Sequence, residues 1–173
     1  MKGGKIMDNE TLKVYLMLLS QGDKEAFVKI YEEIKKPVYT VIFRIVSSKE
    51  YAEDITQEFF YKLYKEPPVM NIDNPRAYFF KTARNMAIDH LRSIRETEAL
   101  DQDILFEKDL ALNIDIENAL LILCREEREI LTLHLNCGLS FAEISNITAL
   151  SLPSVYRRYK KAIKKMKKQL QGG

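Results

Sequence analysis

Apolar residues that recur every three or four positions, with few residues to interrupt them, constrain the fold of this chain most. The 173 residues include only six Gly and five Pro. One stretch repeats Ala77, Phe80, Ala83, Ala87 and Leu91 at this spacing, which is the period of an amphipathic helix. No segment shows convincing strand alternation. The sequence therefore predicts an all-α protein.

The same periodicity divides the chain into two groups of helices. The first group is predicted at 9–20, from Asp23 to Pro37, at 48–65 and at 76–95, with 38–46 as a separate apolar stretch. The second is predicted at 114–124, 126–136, 140–147 and 152–168. Residues 96–113 lose the regularity. We therefore predict two small helical domains, 8–95 and 114–170, joined by a linker over 96–113.

Charge is sorted along the chain. The formal net charge is +2, yet residues 144–173 contain eight Lys and Arg and no carboxylate side chain. The preceding 143 residues must therefore carry −6. Residues 96–115 alone hold seven acids against one base, so the linker is predicted to be extended by charge repulsion. Such sorting indicates different partners along the chain.

Several classes of protein are disfavoured by composition. No apolar run approaches the roughly 20 residues of a membrane span, and the N-terminus lacks a signal-peptide core, so we predict a cytoplasmic protein without a membrane partner. Cys124 and Cys137 are too few for a disulfide scaffold and are predicted to be reduced thiols. His134 lies three residues before Cys137, but structural zinc usually takes four protein ligands. The sequence predicts no metal and no cofactor.

Residues 140–168 form a predicted helix-turn-helix. A short helix carries Phe141, Ile144 and Ile147 inward, "TALS" makes a tight turn, and a longer helix follows with Ser151 as N-cap. Pro153 falls in its first turn, where no N–H is needed. The inward face of the longer helix is predicted to carry its apolar residues, Leu152, Val155, Tyr159, Ala162 or Ile163, and Met166. The outward face is predicted to carry Tyr156 and the basic residues Arg157, Arg158, Lys160, Lys161, Lys164 and Lys165. A basic helix of this kind suits a DNA major groove, although a solvated Lys-rich helix is the simpler alternative.

Two separate motifs resemble bacterial sigma factors of the extracytoplasmic-function (ECF) class. "REEREILTLHLNCGLSFAEISNITALSLPSVYRRYKKAIKKMKK" is similar to the family's C-terminal DNA-binding domain, and "AEDITQEFFYKLYK" and "NPRAYFFKTARNMAIDHLR" are similar to two helices of its N-terminal domain. They occur in the family's order with a short linker between them. The resemblance implies a promoter-specificity subunit of RNA polymerase with no active site of its own.

The resemblance also implies a polymerase-docking stripe. The spacing of Asp54, Gln57, Glu58 and Tyr61 places them on one side of a helix, which on spacing alone is equally a solvated face. In sigma factors this stripe docks on a coiled coil of the largest polymerase core subunit, and the matching positions are Asp54, Gln57 and Glu58.

The helix from Arg76 to Arg95 and the loop before it match the part of the family that melts and binds the −10 element. The loop side chains expected to form a base pocket are Asn71, Asp73 and Asn74. Those expected along the single strand are Arg76, Lys81, Arg84 and Asn85, since charges track phosphates and aromatic rings stack on bases. Two simpler alternatives remain for this helix. Phe79 and Phe80 fit a hydrophobic core better than a platform for stacked bases. Asp89 and Arg92 match the family motif but can simply pair with each other.

The recognition helix is implied to read the −35 element. The matched positions are Tyr156, Arg157, Lys160 and Lys161 for bases, and Ser154, Arg158 and Lys164 for phosphates. Ala149 departs from the family, which often has Gly in this turn. In the family the connecting segment enters the polymerase cleft, so the acidic linker is either an occupant of a phosphate-binding channel or an ordinary spacer. The resemblance leaves open whether an anti-sigma factor holds this chain inactive.

Two other functions compete with this reading. A stand-alone helix-turn-helix regulator would explain the basic C-terminus but not the acidic stripe or the "ARNMAIDHLR" helix. A nuclease using Asp54, Glu58, Asp89 and His90 would need a metal-ligand motif, and none is formed.

Overall fold

The computed structural model describes residues 7–68, 72–98 and 114–171. Within these ranges all regular structure is helical, as the periodicity predicts, and no strand occurs. The helices are α1 (Asn9–Ser20), α2 (Lys24–Val46), α3 (Lys49–Lys65), α4 (Pro75–Glu98), α5 (Ile114–Leu121), α6 (Arg125–Leu135), α7 (Phe141–Thr148) and α8 (Leu152–Gln171). We call α1–α4 the N-terminal half and α5–α8 the C-terminal half.

Helix α2 is one continuous helix, and the predicted boundary at Pro37 is wrong. Asp23 caps its first turn as predicted, accepting from the N–H groups of Glu25 and Ala26 at 2.8 and 3.2 Å. Pro37 lies inside the helix, where it removes one hydrogen bond at a cost of about 3 kcal/mol. Buried apolar residues on both sides of it, Ile34 and Val38 among them, follow the helical period without interruption. Their burial outweighs the local cost.

Helices α3 and α4 complete the N-terminal core. Ser48 caps α3 by accepting from the N–H of Tyr51 at 3.4 Å, and α3 buries Ile55 and Phe59. In α4, Phe79 and Phe80 are both fully buried, so they are core residues, and neither can stack on a base. Helix α4 also extends through Glu98, three residues into the predicted linker. The rest of that linker, 99–113, lies outside the described residues.

The C-terminal half contains the predicted helix-turn-helix, formed by α7 and α8. Ser140 and Glu143 form a capping box at the start of α7. Ala149 makes the turn in the left-handed region, with φ 58° and ψ 22°. Val155 and Ala162 of α8 are fully buried, but Leu152, predicted to face inward, is 48% exposed. The first turn of α8 therefore projects beyond the core.

Helices of the two halves pack against each other. One hydrophobic cluster joins residues of α1–α4 to Ile130, Leu133, Cys137, Leu139, Ile144, Ile147 and Val155 of the C-terminal half. A smaller cluster of Leu120, Leu123, Leu131 and Ala162 holds α5 against α6 and α8. The two predicted helical groups are thus present, and α6 and α7 lie against α2 and α4.

Candidate polymerase and nucleic-acid interfaces

The outer face of α3 carries the predicted acidic stripe, which we define as Asp54, Gln57 and Glu58. All three side chains are exposed, while the opposite face of the helix is buried in the core. Glu58 pairs with Lys62 one turn later at 2.6 Å. Both side chains of that pair are more than half exposed, so the pair is weak and both groups can exchange it for a partner. The acidic stripe is thus accessible.

The predicted −10 residues do not share one surface. Lys81 and Asn85 are exposed on α4, one turn apart, and Asp73 is exposed in the loop before it. Asn74, Arg76 and Arg84 are partly buried instead. Asn71 lies outside the described residues.

Arg84 and Asn74 are both held by carboxylates of the C-terminal half. The Arg84 guanidinium donates from Nε to Glu129 of α6, and the two side chains are 19% and 6% exposed. The Asn74 amide donates to Glu143 of α7, while its oxygen accepts from the N–H of Ala77 at 2.9 Å and caps α4. The Nε of Arg84 and both ends of the Asn74 amide therefore already have protein partners.

Arg76 is held by the turn between α6 and α7. One terminal nitrogen donates to the carbonyl of Cys137 at 2.6 Å, and its backbone N–H donates to the Asn9 side chain at 3.1 Å. Gly138, the next residue of the turn, has φ +65°, and a Cβ at this position would lie 2.5 Å from the Arg76 guanidinium. The backbone conformation therefore favours glycine, and any side chain here would displace the Arg76 guanidinium.

Glu143 links the capping of α7 to the contact with α4. Its second oxygen accepts from the N–H and the hydroxyl of Ser140, both at 2.7 Å. Burial acts to raise the pKa of Glu143, but hydrogen bonds from Ser140 and Asn74 and the charge of Arg76 outweigh it and lower the pKa below its ordinary value. The carboxylate is ionised at neutral pH.

The remaining polar residues of α4 have local roles. Asp89 and Arg92 lie 3.6 Å apart and are both about two-thirds exposed, which is the simple pairing that their spacing suggests. His90 packs on the Tyr51 ring at a centroid distance of 4.6 Å. Tyr78 is 38% exposed and is the one residue of the Tyr78-Phe79-Phe80 run with a ring open to solvent.

Helix α8 presents a cationic arc to solvent. The exposed residues Arg157, Lys160, Lys164 and Lys168 recur at helical spacing on the side opposite to Val155 and Ala162. We call these four residues the cationic arc. Tyr156 is 49% exposed beside it, with the Lys160 ammonium 5.3 Å from its ring centre. Ser154 is half-buried and accepts from the Ser151 hydroxyl at 3.0 Å.

Three other cations of α8 are paired with acids of α6. Arg158 binds Glu126 at 2.8 Å, and Lys165 and Lys161 lie 2.7 and 3.7 Å from Glu127. Helical spacing predicts all three on the outward face of α8. This is wrong for Arg158 and Lys165, which are 28% and 34% exposed, because α6 packs along that side. The acids in "REEREI" were the available signal.

Glu127 is the buried centre of these pairs, at 2% exposure. Burial acts to raise its pKa, but the Lys165 ammonium, the N–H of Cys124 at 3.2 Å and the charge of Lys161 outweigh burial and lower the pKa below its ordinary value. A buried carboxylate with three donors or cations around it positions α8 against α6.

His134 and Cys137 have structural surroundings, whereas Cys124 is exposed and is not a core residue. His134 stacks on Phe141 at 4.5 Å and donates from Nδ1 to the Leu139 carbonyl at 2.8 Å. Cys137 is buried, and burial raises the pKa of its thiol. Across 7–68, 72–98 and 114–171, no three His, Cys, Asp or Glu side chains gather where they could hold a metal ion. In the same ranges, no helix is both long and apolar enough to cross a membrane.

Two family models match the chain, in the order that the helical groups predict. The model for sigma-70 region 2 matches residues 30–97, and the model for sigma-70 region 4 matches residues 114–166. Together they span more than two thirds of the 173 residues.

Curated relatives and solved structures agree with these matches. The chain is 23% identical to the ECF RNA polymerase sigma factor SigW of Bacillus subtilis, over 92% of this chain and 96% of the relative. It is 28% identical to the RNA polymerase sigma factor SigV of the same organism, over 89% and 96%. Its fold resembles Bartonella quintana RpoE in complex with the anti-sigma factor NepR, with a TM-score of 0.71, 19% identity and coverage of 84% and 96%. It also resembles CnrH in complex with the cytosolic domain of CnrY, with a TM-score of 0.67, 19% identity and coverage of 94% and 98%.

With regions 2 and 4 matched on α2–α4 and α5–α8, the chain belongs to the sigma-70 family as a sigma factor of the ECF class, which directs RNA polymerase to promoters. It is not a stand-alone regulator. Its family consists of transcription initiation factors, and its partners are the polymerase core and promoter DNA.

Proposed function

We propose that this sigma factor binds its partners through three separate surfaces. The acidic stripe binds the largest subunit of core RNA polymerase, α4 and the loop before it bind the melted −10 element, and α8 binds the −35 duplex. Residues 8–95 and 114–170 form the two functional domains, and 96–113 connect them. The chain has no catalytic activity of its own and acts in the cytoplasm.

The acidic stripe suits a basic protein surface. Asp54 and Glu58 expose two carboxylates one turn apart, with the Gln57 amide beside them. Complementary charges speed association and orient the partners, even where they add little affinity. The neighbouring groove between α2 and α3 is lined by Tyr31, Lys35, Tyr39, Gln57 and Phe60, among others, and offers apolar area next to the charges.

The cationic arc suits duplex DNA. Arg157, Lys160 and Lys164 are exposed on one side of α8, and a helix of this width enters the major groove. Tyr156 and Arg157 lie in the N-terminal half of the helix, from which recognition helices contact base edges. We therefore assign base contacts to Tyr156, Arg157 and Lys160, and phosphate contacts to Lys164 and Ser154. Lys161 and Arg158 can reach DNA only by giving up their pairs with α6.

The exposed face of α4 suits single-stranded DNA. Lys81 and Asn85 lie one turn apart, and the partly exposed Tyr78 precedes Lys81 by three residues. Cations that track the backbone beside an aromatic ring are the usual elements of single-strand binding. Asp73 and Asn71 would read a flipped base from the loop. Asn74, Arg76 and Arg84 join this surface once the C-terminal half is displaced.

An anti-sigma factor is a further proposed partner. The similar structures are those of RpoE in complex with the anti-sigma factor NepR and of CnrH in complex with the cytosolic domain of CnrY. This chain has a similar fold over most of its length, which supports a partner of the same kind.

Two exposed surfaces support the proposal most directly. The acidic stripe lies in the part of the chain that matches region 2, and most of the cationic arc lies in the part that matches region 4. The test is assembly of holoenzyme with the Asp54→Lys/Glu58→Lys variant. We expect core binding to weaken by several kcal/mol, because like charges then face each other. Glu25→Lys/Glu32→Lys, which changes exposed acids of α2 by the same total charge, should bind normally. Equal binding by both variants would refute the docking assignment.

A further inference from the structure

The first turn of α8 carries an exposed apolar residue that packing in the core does not explain. Leu152 is 48% exposed, whereas Val155 and Ala162 of the same helix are fully buried. Tyr156 follows one turn after Leu152 and is 49% exposed, and its ring centre lies 5.7 Å from that of Phe141. We call Leu152 and Tyr156 the apolar tip of α8.

The apolar tip and the cationic arc share one row of side chains. The exposed residues at four-residue spacing along α8 are Leu152, Tyr156, Lys160 and Lys164. This spacing places their side chains in line along the helix, so the row is apolar at its N-terminal end and cationic beyond it. Single exposed leucines are common on protein surfaces, but this one lies in line with cations suited to a polyanion. The neighbouring charges therefore indicate DNA as the partner that covers it.

The position of the apolar tip suits the base pairs at the floor of a major groove. The N-terminal residues of a recognition helix approach base edges, and Leu152 is the first residue of α8. The four residues from Leu152 to Tyr156 rise about 6 Å along the helix, which is close to two base-pair steps of ~3.4 Å each. Both side chains can therefore face the same short stretch of duplex.

A leucine side chain can recognise only one kind of group in the major groove. Among the groups that distinguish the four bases there, the C5-methyl of thymine is the apolar one. The others are hydrogen-bond donors and acceptors, and a leucine that covers them removes their water without replacing it. Leu152 therefore favours a thymine by contact and disfavours the other bases by desolvation.

We propose that Leu152 is a specificity-determining residue that packs on the C5-methyl group of a thymine in the −35 element. Tyr156 forms the adjacent side of this apolar contact, and Arg157 and Lys160 supply the polar base contacts beside it. The proposal rests on the proposed function of α8, and it adds the kind of base that the first turn of the helix selects.

The test removes the methyl group from the DNA. Holoenzyme assembled from this chain and core RNA polymerase first selects promoters from a library randomised over the −35 element. Each thymine of the selected element is then replaced, one at a time, by deoxyuridine, which lacks only the C5-methyl. Promoter affinity is measured by fluorescence anisotropy. Because the first comparison uses the wild-type chain, it does not depend on how any variant folds.

We expect deoxyuridine at one position to weaken wild-type binding about fourfold, the value of one buried methyl-sized group. In Leu152→Ala holoenzyme the same replacement should have no effect, and affinity for the unmodified promoter should fall by about fourfold or more. The matched control is Leu170→Ala, because Leu170 is 47% exposed at the other end of the same helix. This control should keep the full difference between thymine and deoxyuridine.

The proposed role of Leu152 is overturned if the selected −35 element contains no thymine, or if no deoxyuridine weakens wild-type binding. It is also overturned if deoxyuridine weakens the Leu152→Ala holoenzyme as much as the wild type, since another residue would then contact the methyl. A Leu152→Ala variant that binds core polymerase more weakly, with an unchanged response to deoxyuridine, would show that a protein covers the apolar tip.

Lys160→Ala/Lys164→Ala separates this failure from a failure of the proposed function. Both lysines are exposed on α8 beyond the apolar tip. If this variant binds the selected promoter more weakly than the wild type, α8 contacts the −35 duplex and only the role of Leu152 is refuted. If it binds equally well, the assignment of α8 to the −35 element fails as well.

Discussion

Helices α4 and α8 are the two helices that we propose to bind DNA, and some of their cations are paired in different ways. In α4, Arg84 pairs with Glu129 in the other half of the molecule. In α8, Lys165 and Arg158 pair with Glu127 and Glu126 of the same half, and the cationic arc remains exposed. The pairs of α8 therefore survive any separation of the halves, whereas that of α4 does not.

Because of this difference, we expect the two helices to bind DNA under different conditions. Helix α8 is held in place by its own half, and its cationic arc is accessible in the packed arrangement. Of the proposed −10 residues on α4, only Lys81 and Asn85 are exposed, and Arg84, Arg76 and the preceding Asn74 become available when the halves part. Under the proposed function, α8 is thus accessible to duplex DNA in the packed arrangement, whereas α4 offers all of its proposed single-strand contacts only when the halves part.

The largest effect should come from Glu127→Ala, which tests whether pairs within one half position α8. The substitution removes the partner of Lys165 and the acceptor for the Cys124 N–H. We expect a loss of about 3 kcal/mol in the free energy of unfolding, measured by chemical denaturation. Glu126→Ala removes an acid that is more than half exposed and should cost about 0.5 kcal/mol. Similar losses for both would show that burial of Glu127 has no special role.

Acidification should remove part of the same stabilisation. The pKa values of Glu127 and Glu143 are lower in the folded protein than the ordinary value of 4.5, so the unfolded state binds protons first. Their contribution is fully present above pH 4.5 and is lost as the pH falls through the folded values. Unfolding measured from neutral pH down to about pH 3 should show this loss, with a shallower slope in Glu127→Gln. An unchanged slope would contradict the lowered pKa.

Lys160→Ala/Lys164→Ala tests the free cationic arc in holoenzyme. We expect promoter affinity to fall by about 2 kcal/mol, or roughly thirtyfold, and the salt dependence of binding to drop by about one unit, because Lys164 is the one of the two assigned to a phosphate. Lys165→Ala removes a cation that is already paired with Glu127, so it should lower stability and leave the salt dependence unchanged. A reduced salt dependence in Lys165→Ala would show that the paired Lys165 also contacts DNA, and would contradict the difference between free and paired cations of α8.

The smallest expected effect concerns the turn that positions α8. Ala149 adopts φ 58°, a conformation that costs an L-residue about 1 kcal/mol and glycine almost nothing. Ala149→Gly should therefore raise the free energy of unfolding by about 1 kcal/mol without altering promoter affinity. Ala142→Gly, at an exposed helical position in α7, should lower the same quantity by about 0.5–1 kcal/mol. Destabilisation by both would mean that the turn is not strained.

Periodicity predicted most of the helices, and the resemblance of two contiguous motifs predicted the family, because both are local patterns. The helix starts at Asp23, Ser48 and Ser140 follow from capping side chains, and the two sigma motifs are contiguous stretches. The helix boundary predicted at Pro37 is wrong, because the apolar side chains on both sides of it are buried in the core and keep the helix continuous. Leu152 was misjudged because helical spacing alone does not show how far the supporting core extends.

Residue order alone thus indicated two groups of helices within the part of the chain that the structure describes, with carboxylates on one face of α3 and lysines on one face of α8. These are properties of spacing within single helices, which the backbone geometry imposes. Tertiary structure alone decided which charges remain free, because Arg84, Arg158 and Lys165 find partners from distant parts of the chain. Burial of an ion requires a counter-charge in contact, and only the packing of α6 against α4 and α8 brings Glu129, Glu126 and Glu127 to them.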